Sequence, residues 1–167
     1  MYIFIQSMKR FSIIILFLSF FLELPSLYSA IYYVKTNGNN SSTGLSWVQA
    51  WKTISHAASN VVFSDIVNVS NGIYNEKVFV SNSGSPGNYI TFRSYNPHGT
   101  VLDGTGFSYA FFVTNRNYIR IQDFIIRKAD RAGVYITGSS TNNIITNNII
   151  CSNITYAGIL LNGDNVD

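Results

Sequence analysis

The stretch "NNIITNNIICSN", residues 142–153, decides the fold: five asparagines punctuate two pairs of isoleucines. Asparagine is a poor strand former and isoleucine is among the best. Apolar runs this short carry no sustained helical periodicity and are too brief to build a sandwich by themselves. They need equivalent runs stacked on them.

Such runs lie one repeat upstream. Placing "NYIRIQDFIIRKADRAGVYITGSST" (117–141) over "NNIITNNIICSNITYAGILLNGDNV" (142–166) gives six identities. They are Asn117/Asn142, Ile119/Ile144, Ile125/Ile150, Ala132/Ala157, Gly133/Gly158 and Gly138/Gly163. The earlier "YAFFVTN" (109–115) fits the same frame over "AGVYITG". Each repeat holds three short strands, and parallel stacking at about 4.8 Å per turn makes three sheets around one narrow core. The fold class is all-β, a right-handed parallel β-helix. Asparagine tolerates left-handed backbone and can make the sharp bend between the second and third strands. The expected polar ladder there has Asp123 and Asn148 as rungs, with Gln122 and Asn147 beside them. In this 25-residue frame the interior positions are Ile119, Ile121, Phe124, Val134, Ile136, Ile144, Ile149, Cys151, Ile159 and Leu161. A single cysteine excludes an intrachain disulfide, and Cys151 reads as buried filler.

Residues 8–30, "MKRFSIIILFLSFFLELPSLYSA", have a basic start, an apolar run Phe11–Leu22 and a small-residue end at Ser29-Ala30. That is the layout of a secretory signal peptide, with an apolar core well short of the ~20 residues a spanning helix needs. The chain thus divides into a signal peptide, 1–30, and a domain, 31–167, holding an N-terminal cap and the first coils. The expected location is secreted, extracellular or cell-surface, with the periplasm as a further option, and no membrane association after cleavage. Without residues 1–30 there are nine Lys/Arg against seven Asp/Glu. A balance near +2 is too weak to argue for nucleic acid. From Ser46, a natural helix cap, Trp47, Trp51, Ile54, Ala57 and Val61 recur at helical spacing. The spacing predicts a helix over Trp47–Val61 that plugs the first coil.

The segments "TNGNNSSTGLSWVQAWKTI", "GIYNE", "SGSPGNYITFRSYN" and "VLDG" resemble the N-terminal region of secreted right-handed β-helix proteins of the pectate-lyase-like superfamily. The resemblance runs from about residue 31 to 167. It implies acidic polysaccharide as the partner and β-elimination of uronates as the reaction. That chemistry needs a base to take the proton α to the carboxylate and a cation to hold the developing charge. In pectate lyases the cation is usually Ca²⁺ held by acidic side chains, and the groove lies along the first sheet and the loop leading into it.

In the repeat frame the first sheet comprises Phe111–Thr114, Val134–Thr137 and Ile159–Asn162. Alternation turns Phe112, Tyr135 and Leu160 outward if Phe111, Val134 and Ile159 point inward. The leading loop is "RKADRAG" (127–133), so the candidate substrate-binding residues are Lys128, Asp130, Arg131 and Tyr135. Asp164 and Asp167, with Asn165 between them, are candidate Ca²⁺ ligands; a solvated turn is the other reading. Asp103 reads as a turn residue, His56 and His98 as structural or solvated, and Arg120 as outward on a different sheet. No catalytic residue is assigned. A non-catalytic carbohydrate-binding or adhesion β-helix, or an inactive fragment of a longer enzyme, remains the alternative function. The sequence stops after the strand Ile159–Asn162 with no second cap. That leads us to expect the N-terminal part of a longer protein, one that self-associates through its exposed C-terminal coil. Exported material should lack residues 1–30, and an intact mass that retains Phe11–Leu22 would rule the signal peptide out.

Overall fold

Short runs of β-branched and aromatic residues become strands here because each is covered by a like run one coil away. The structure, a computed structural model, describes residues 29–153, 155 and 157–163. The proposed signal peptide therefore lies almost wholly outside the described residues. Among these, no helix is long and apolar enough to cross a membrane.

Three parallel sheets form. Sheet I runs β1 (Ile31–Val34), β2 (Ile66–Val69), β5 (Ile90–Ser94), β8 (Ile119–Gln122) and β11 (Ile144–Thr146). Sheet II runs β3 (Gly72–Asn75), β6 (Thr100–Asp103), β9 (Ile125–Arg127) and β12 (Ile149–Cys151). Sheet III runs β4 (Val78–Phe79), β7 (Tyr109–Thr114), β10 (Ala132–Thr137) and β13 (Ala157–Asn162). The chain visits I, II and III in turn, so the expected parallel β-helix is present, with about four turns. Its core is a single column of apolar side chains, including Phe92, Phe111, Phe124, Ile121, Ile126 and Leu102, all fully buried.

The corners explain the asparagines. Left-handed backbone recurs at stacked positions: Tyr118 (φ 57°) and Asn142 (56°), Asp123 (69°) and Asn147 (50°), Lys128 (58°) and Ser152 (55°). The residue after each of the later three is an asparagine that clamps the coil before it. Asn143 Oδ1 accepts from the Ile119 amide at 2.9 Å, Asn148 from Phe124 at 2.9 Å and Asn153 from Ala129 at 3.2 Å. Asn143 and Asn148 also donate through Nδ2, to the carbonyls of Arg116 (2.9 Å) and Ile121 (2.8 Å). Each side chain therefore satisfies a donor and an acceptor that the corner removes from the sheet ladder.

These clamps are offset by 24 residues, which corrects the 25-residue frame over half of its length. Ile121 pairs with Ile145 and Ile126 with Ile150, so Ile145 and Ile150 pack on the core. Ile144 pairs with the outward Arg120, Ile149 with Ile125, and Cys151 with Arg127. A one-residue slip moves a strand's whole set of side chains to the other face. Ile144, Ile149 and Cys151 are consequently outward, and Cys151 is exposed rather than buried filler. The same slip corrects the polar ladder: Asn147, not Asn148, donates to Asp123. The 25-residue offset is right for β10 and β13, where Ala132 pairs with Ala157 and Val134 with Ile159. Ile119, Ile121, Phe124 and Val134 are buried, and Ile136 packs against the core. Ile159 and Leu161 continue inward columns but are 41% and 51% exposed, because β13 is the outer strand of its sheet.

The helix is shorter than its periodicity predicts. Only α1 (Ile54–Asn60) is helical, capped by Thr53, whose hydroxyl accepts from the His56 amide at 3.1 Å. The Glu76 carboxylate accepts from the Ile54 and Ser55 amides at 2.9 and 2.8 Å, completing the N-terminus. Trp51 is held extended instead: its amide donates to Tyr33 and its carbonyl accepts from Lys35, each at 2.9 Å. Its ring stacks on Tyr32 at 4.6 Å, while Trp47 meets Tyr33 and Tyr95 edge-on. Ser46 caps only a single turn, accepting from the Gln49 amide. Pairing with β1 thus overrides the helical spacing at Trp51. The helix packs on β4 and β1 through Ile54, Ala57 and Ala58.

The corrected register has a direct test. Ile145→Asp should unfold the chain or cost several kcal/mol, since it places a charge against the core. Ile144→Asp should stay within about 1 kcal/mol of the parent by denaturant melting. The reverse ranking would restore the 25-residue register.

Candidate functional site

Sheet III presents a strip of rings to solvent. In β7 and β10 the register aligns Phe111 with Val134, Phe112 with Tyr135 and Val113 with Ile136. The first and last pairs point inward, so Phe112 and Tyr135 stand side by side outside, as the alternation predicts. Their rings are parallel within 4° at 5.5 Å. Phe79 on β4 extends the strip, 5.5 Å from Phe112. Tyr109, at the start of β7, lies against both neighbours, 4.3 Å from Tyr135 and 5.6 Å from Phe112. Aromatic pairs in these geometries contribute about 0.5–1.5 kcal/mol each beyond area burial. The strip is therefore a pre-ordered surface rather than four loose side chains.

The loop before β10 places a cation on this strip. The Arg131 guanidinium carbon is 5.6 Å from the Tyr109 ring centre, a cation–π contact. The loop is fixed by its backbone: the Asp130 and Arg131 amides donate to Phe107 and Ser108, each at 2.9 Å, and the Thr155 hydroxyl donates to the Asp130 carbonyl at 2.6 Å. Hydrogen bonds to the Tyr135 oxygen from Thr137 and then Asn162, with a smaller contribution from the Arg131 charge, draw its phenol below the usual tyrosine value, outweighing a slight desolvation.

Residues 32–166 match the family described as Pel9A-like, right-handed β-helix region. The chain belongs to that family. It is 28% identical over 123 residues to YwoF of Bacillus subtilis (strain 168), a match covering 66% of this chain and 26% of YwoF. Among solved structures, a rhamnogalacturonan lyase superposes with a TM-score of 0.58 at 18% identity, covering 69% of this chain and 34% of the lyase. Pectate lyase Pel9A superposes with 0.56 at 23% identity, covering 71% and 35%. At such identities the likeness is one of fold. The chain spans about a quarter of YwoF and about a third of each lyase.

Of the four expected binding residues in this Pel9A-like β-helix, Arg131 and Tyr135 meet at one face. Lys128 does not join them: its ammonium is 3.9 Å from Asp103 on sheet II. Asp130 is exposed on the loop between. Tyr109 and Phe79 were not among the expected residues, and the strip depends on both. Asp103 is more than a turn residue. It ends β6 and is nearly buried, with Arg127 Nε at 3.0 Å. Burial would raise its carboxyl, but hydrogen bonds from the Thr105 hydroxyl and amide, then from Arg127, with the Lys128 charge behind them, hold it below the ordinary value.

Asp164 and Asp167, the expected calcium ligands, lie outside the described residues. Among the described residues no group of three or more His, Cys, Asp and Glu could hold a metal. The five acidic side chains there are mostly committed. Asp65 accepts the Ala30 and Val62 amides, Glu76 caps α1, Asp103 holds its cations, and Asp123 accepts from Gln122 and Asn147.

A depressed carboxyl contributes stability above its unfolded value, near 3.8, that is lost as pH falls through the lower folded value. Asp103→Asn should therefore flatten the loss of stability below about pH 4 in acid titrations followed by circular dichroism. An acid limb identical to the parent's would remove Asp103 from that role.

Proposed function

We propose that the outward face of sheet III binds an acidic polysaccharide in an extracellular setting. The observation that carries this is the strip Phe79–Phe112–Tyr135 with Tyr109 beside it and Arg131 at its edge. Pyranose rings offer flat C–H faces that stack on aromatic side chains, and parallel strands repeat every ~4.8 Å along the solenoid axis. A sugar chain laid along that axis meets a ring on successive coils. The Arg131 guanidinium then supplies a planar donor fork for a carboxylate. The family membership and the two lyases of like fold support a uronate polymer as the ligand class.

Bound polymer has two fates, which differ in chemistry. β-Elimination needs a base beside the bound uronate. The alternative, binding without cleavage, is favoured by Asp103, which holds the loop residue Lys128 beside sheet II and away from the strip. Calorimetry with oligogalacturonate tests the shared claim. Tyr135→Ala should weaken binding by about tenfold, and Arg131→Ala should weaken it in a way that fades at high salt. Unchanged affinity in a Phe112→Ala, Tyr135→Ala double variant would place the ligand elsewhere. Appearance of the unsaturated uronate chromophore with the same oligomers would decide for the lyase.

A further inference from the structure

A second cation–aromatic cluster lies on sheet I. Arg120 occupies an outward position of β8, between Thr91 of β5 and Ile144 of β11. Its guanidinium carbon lies 4.8 Å over the ring of Tyr89, which Tyr118 braces edge-on at 5.6 Å. The Arg120 Nε is shielded from solvent and meets no hydrogen-bond partner. It is the only buried side-chain polar atom among the described residues in that condition. The side chain lines a shallow cavity of about 270 Å³ together with Ser64, Asn88, Tyr89 and Thr91.

Among the described residues, no carboxylate on this face answers that charge. The outward positions of β2, β5, β8 and β11 hold none, and Arg93 adds a second cation there, its Nε bonded to Asn68 at 2.6 Å. Asp65, beside β2, is committed to the amides of Ala30 and Val62, and Asp123, after β8, to Gln122 and Asn147. Buried N–H groups in native proteins are almost always bonded, so a guanidinium that meets only a ring while its side chain lines a cavity calls for an explanation, and an anion in that cavity supplies one. A guanidinium edge offers two parallel N–H donors, matched to the two oxygens of a carboxylate, and the Tyr89 ring fixes its plane. The cavity falls below the size range of drug-like pockets and suits one sugar unit.

We propose that Arg120 and its cavity bind the carboxylate of a single uronate unit, at a contact separate from the aromatic strip on sheet III. The choice of ligand rests on the acidic-polysaccharide function proposed for sheet III; the location rests on Arg120 alone. The arginine Nε–H resonances of the mature chain, assigned by Arg120→Gln, report the site directly. Titration with trigalacturonate should shift the Arg120 signal saturably, and the methyl-esterified trimer should not move it. Arg120→Gln should lower affinity for the acid form by about tenfold and leave the ester unaffected. Arg120→Lys keeps the charge, loses the fork and should behave like Arg120→Gln. In Tyr135→Ala the Arg120 shift should persist. A trimer that still binds in a Tyr135-dependent way while the Arg120 signal stays fixed overturns this site and spares the sheet III reading. A saturable Arg120 shift with no effect of Tyr135→Ala supports this site and sinks the other. No binding of the trimer at all sinks both.

Discussion

Turning a strand through a corner in a single residue is the constraint on which the rest of this structure depends. At Asp123/Asn147, at Tyr118/Asn142 and at Lys128/Ser152 the backbone takes left-handed values without glycine. Each such residue costs roughly 1–2 kcal/mol and removes the following amide from the sheet ladder. The asparagine clamps answer both losses at once. Asn148 accepts the Phe124 amide and donates to the Ile121 carbonyl, two hydrogen bonds of about 1 kcal/mol each. The cost of the corner and the gain from the clamp are therefore of the same size. The five-residue spacing of Asn143, Asn148 and Asn153 is the spacing of the three corners of one coil, with a three-residue strand between each pair.

That spacing was legible in the sequence, yet the register drawn from it was off by one over β11 and β12. The clamps act on the neighbouring coil at Ile119, Phe124 and Ala129, which are not asparagines, so identity matching could not find them. It aligned Asn142 with Asn117 instead. The frame returned to register only at Ala132–Gly138 because the loop between Cys151 and Ala157 is one residue longer than its predecessor. The tryptophan spacing misled for a related reason. Trp47 and Trp51 recur at helical intervals, but a strand more than a dozen residues earlier, β1, captures the Trp51 backbone. Local periodicity carries no trace of such a partner.

The site divides in the same way. Phe112 and Tyr135 were readable as outward neighbours because β7 and β10 align by simple alternation. Phe79 was not, since a long loop-bearing stretch separates β4 from β7 and hides their pairing. Lys128 looked like part of a cationic loop, but Asp103, one coil earlier on another sheet, attracts it together with Arg127. Arg120 was visible as an outward side chain; its lack of a hydrogen-bond partner could appear only once Asp65 and Asp123 were seen engaged elsewhere.

A solenoid this narrow leaves function few places to sit. Inward positions on all three sheets are consumed by one apolar column, so recognition must use outward positions and corner loops. The three faces have accordingly taken different chemistry. Sheet II holds an internal ion pair, with the one carboxylate of Asp103 shared between Arg127 and Lys128. Sheet III offers stacked rings with a cation at one edge, and sheet I offers cations without carboxylates. Outward residues of successive coils are close neighbours along the axis, whereas faces are separated by sharp corners. A ligand that reads several coils must therefore lie along the axis of one face, and a chain long enough to touch two faces must bend around a corner or bind them through separate units. That geometry is why a polymer suits the strip on sheet III while a single charged unit suits the cavity at Arg120.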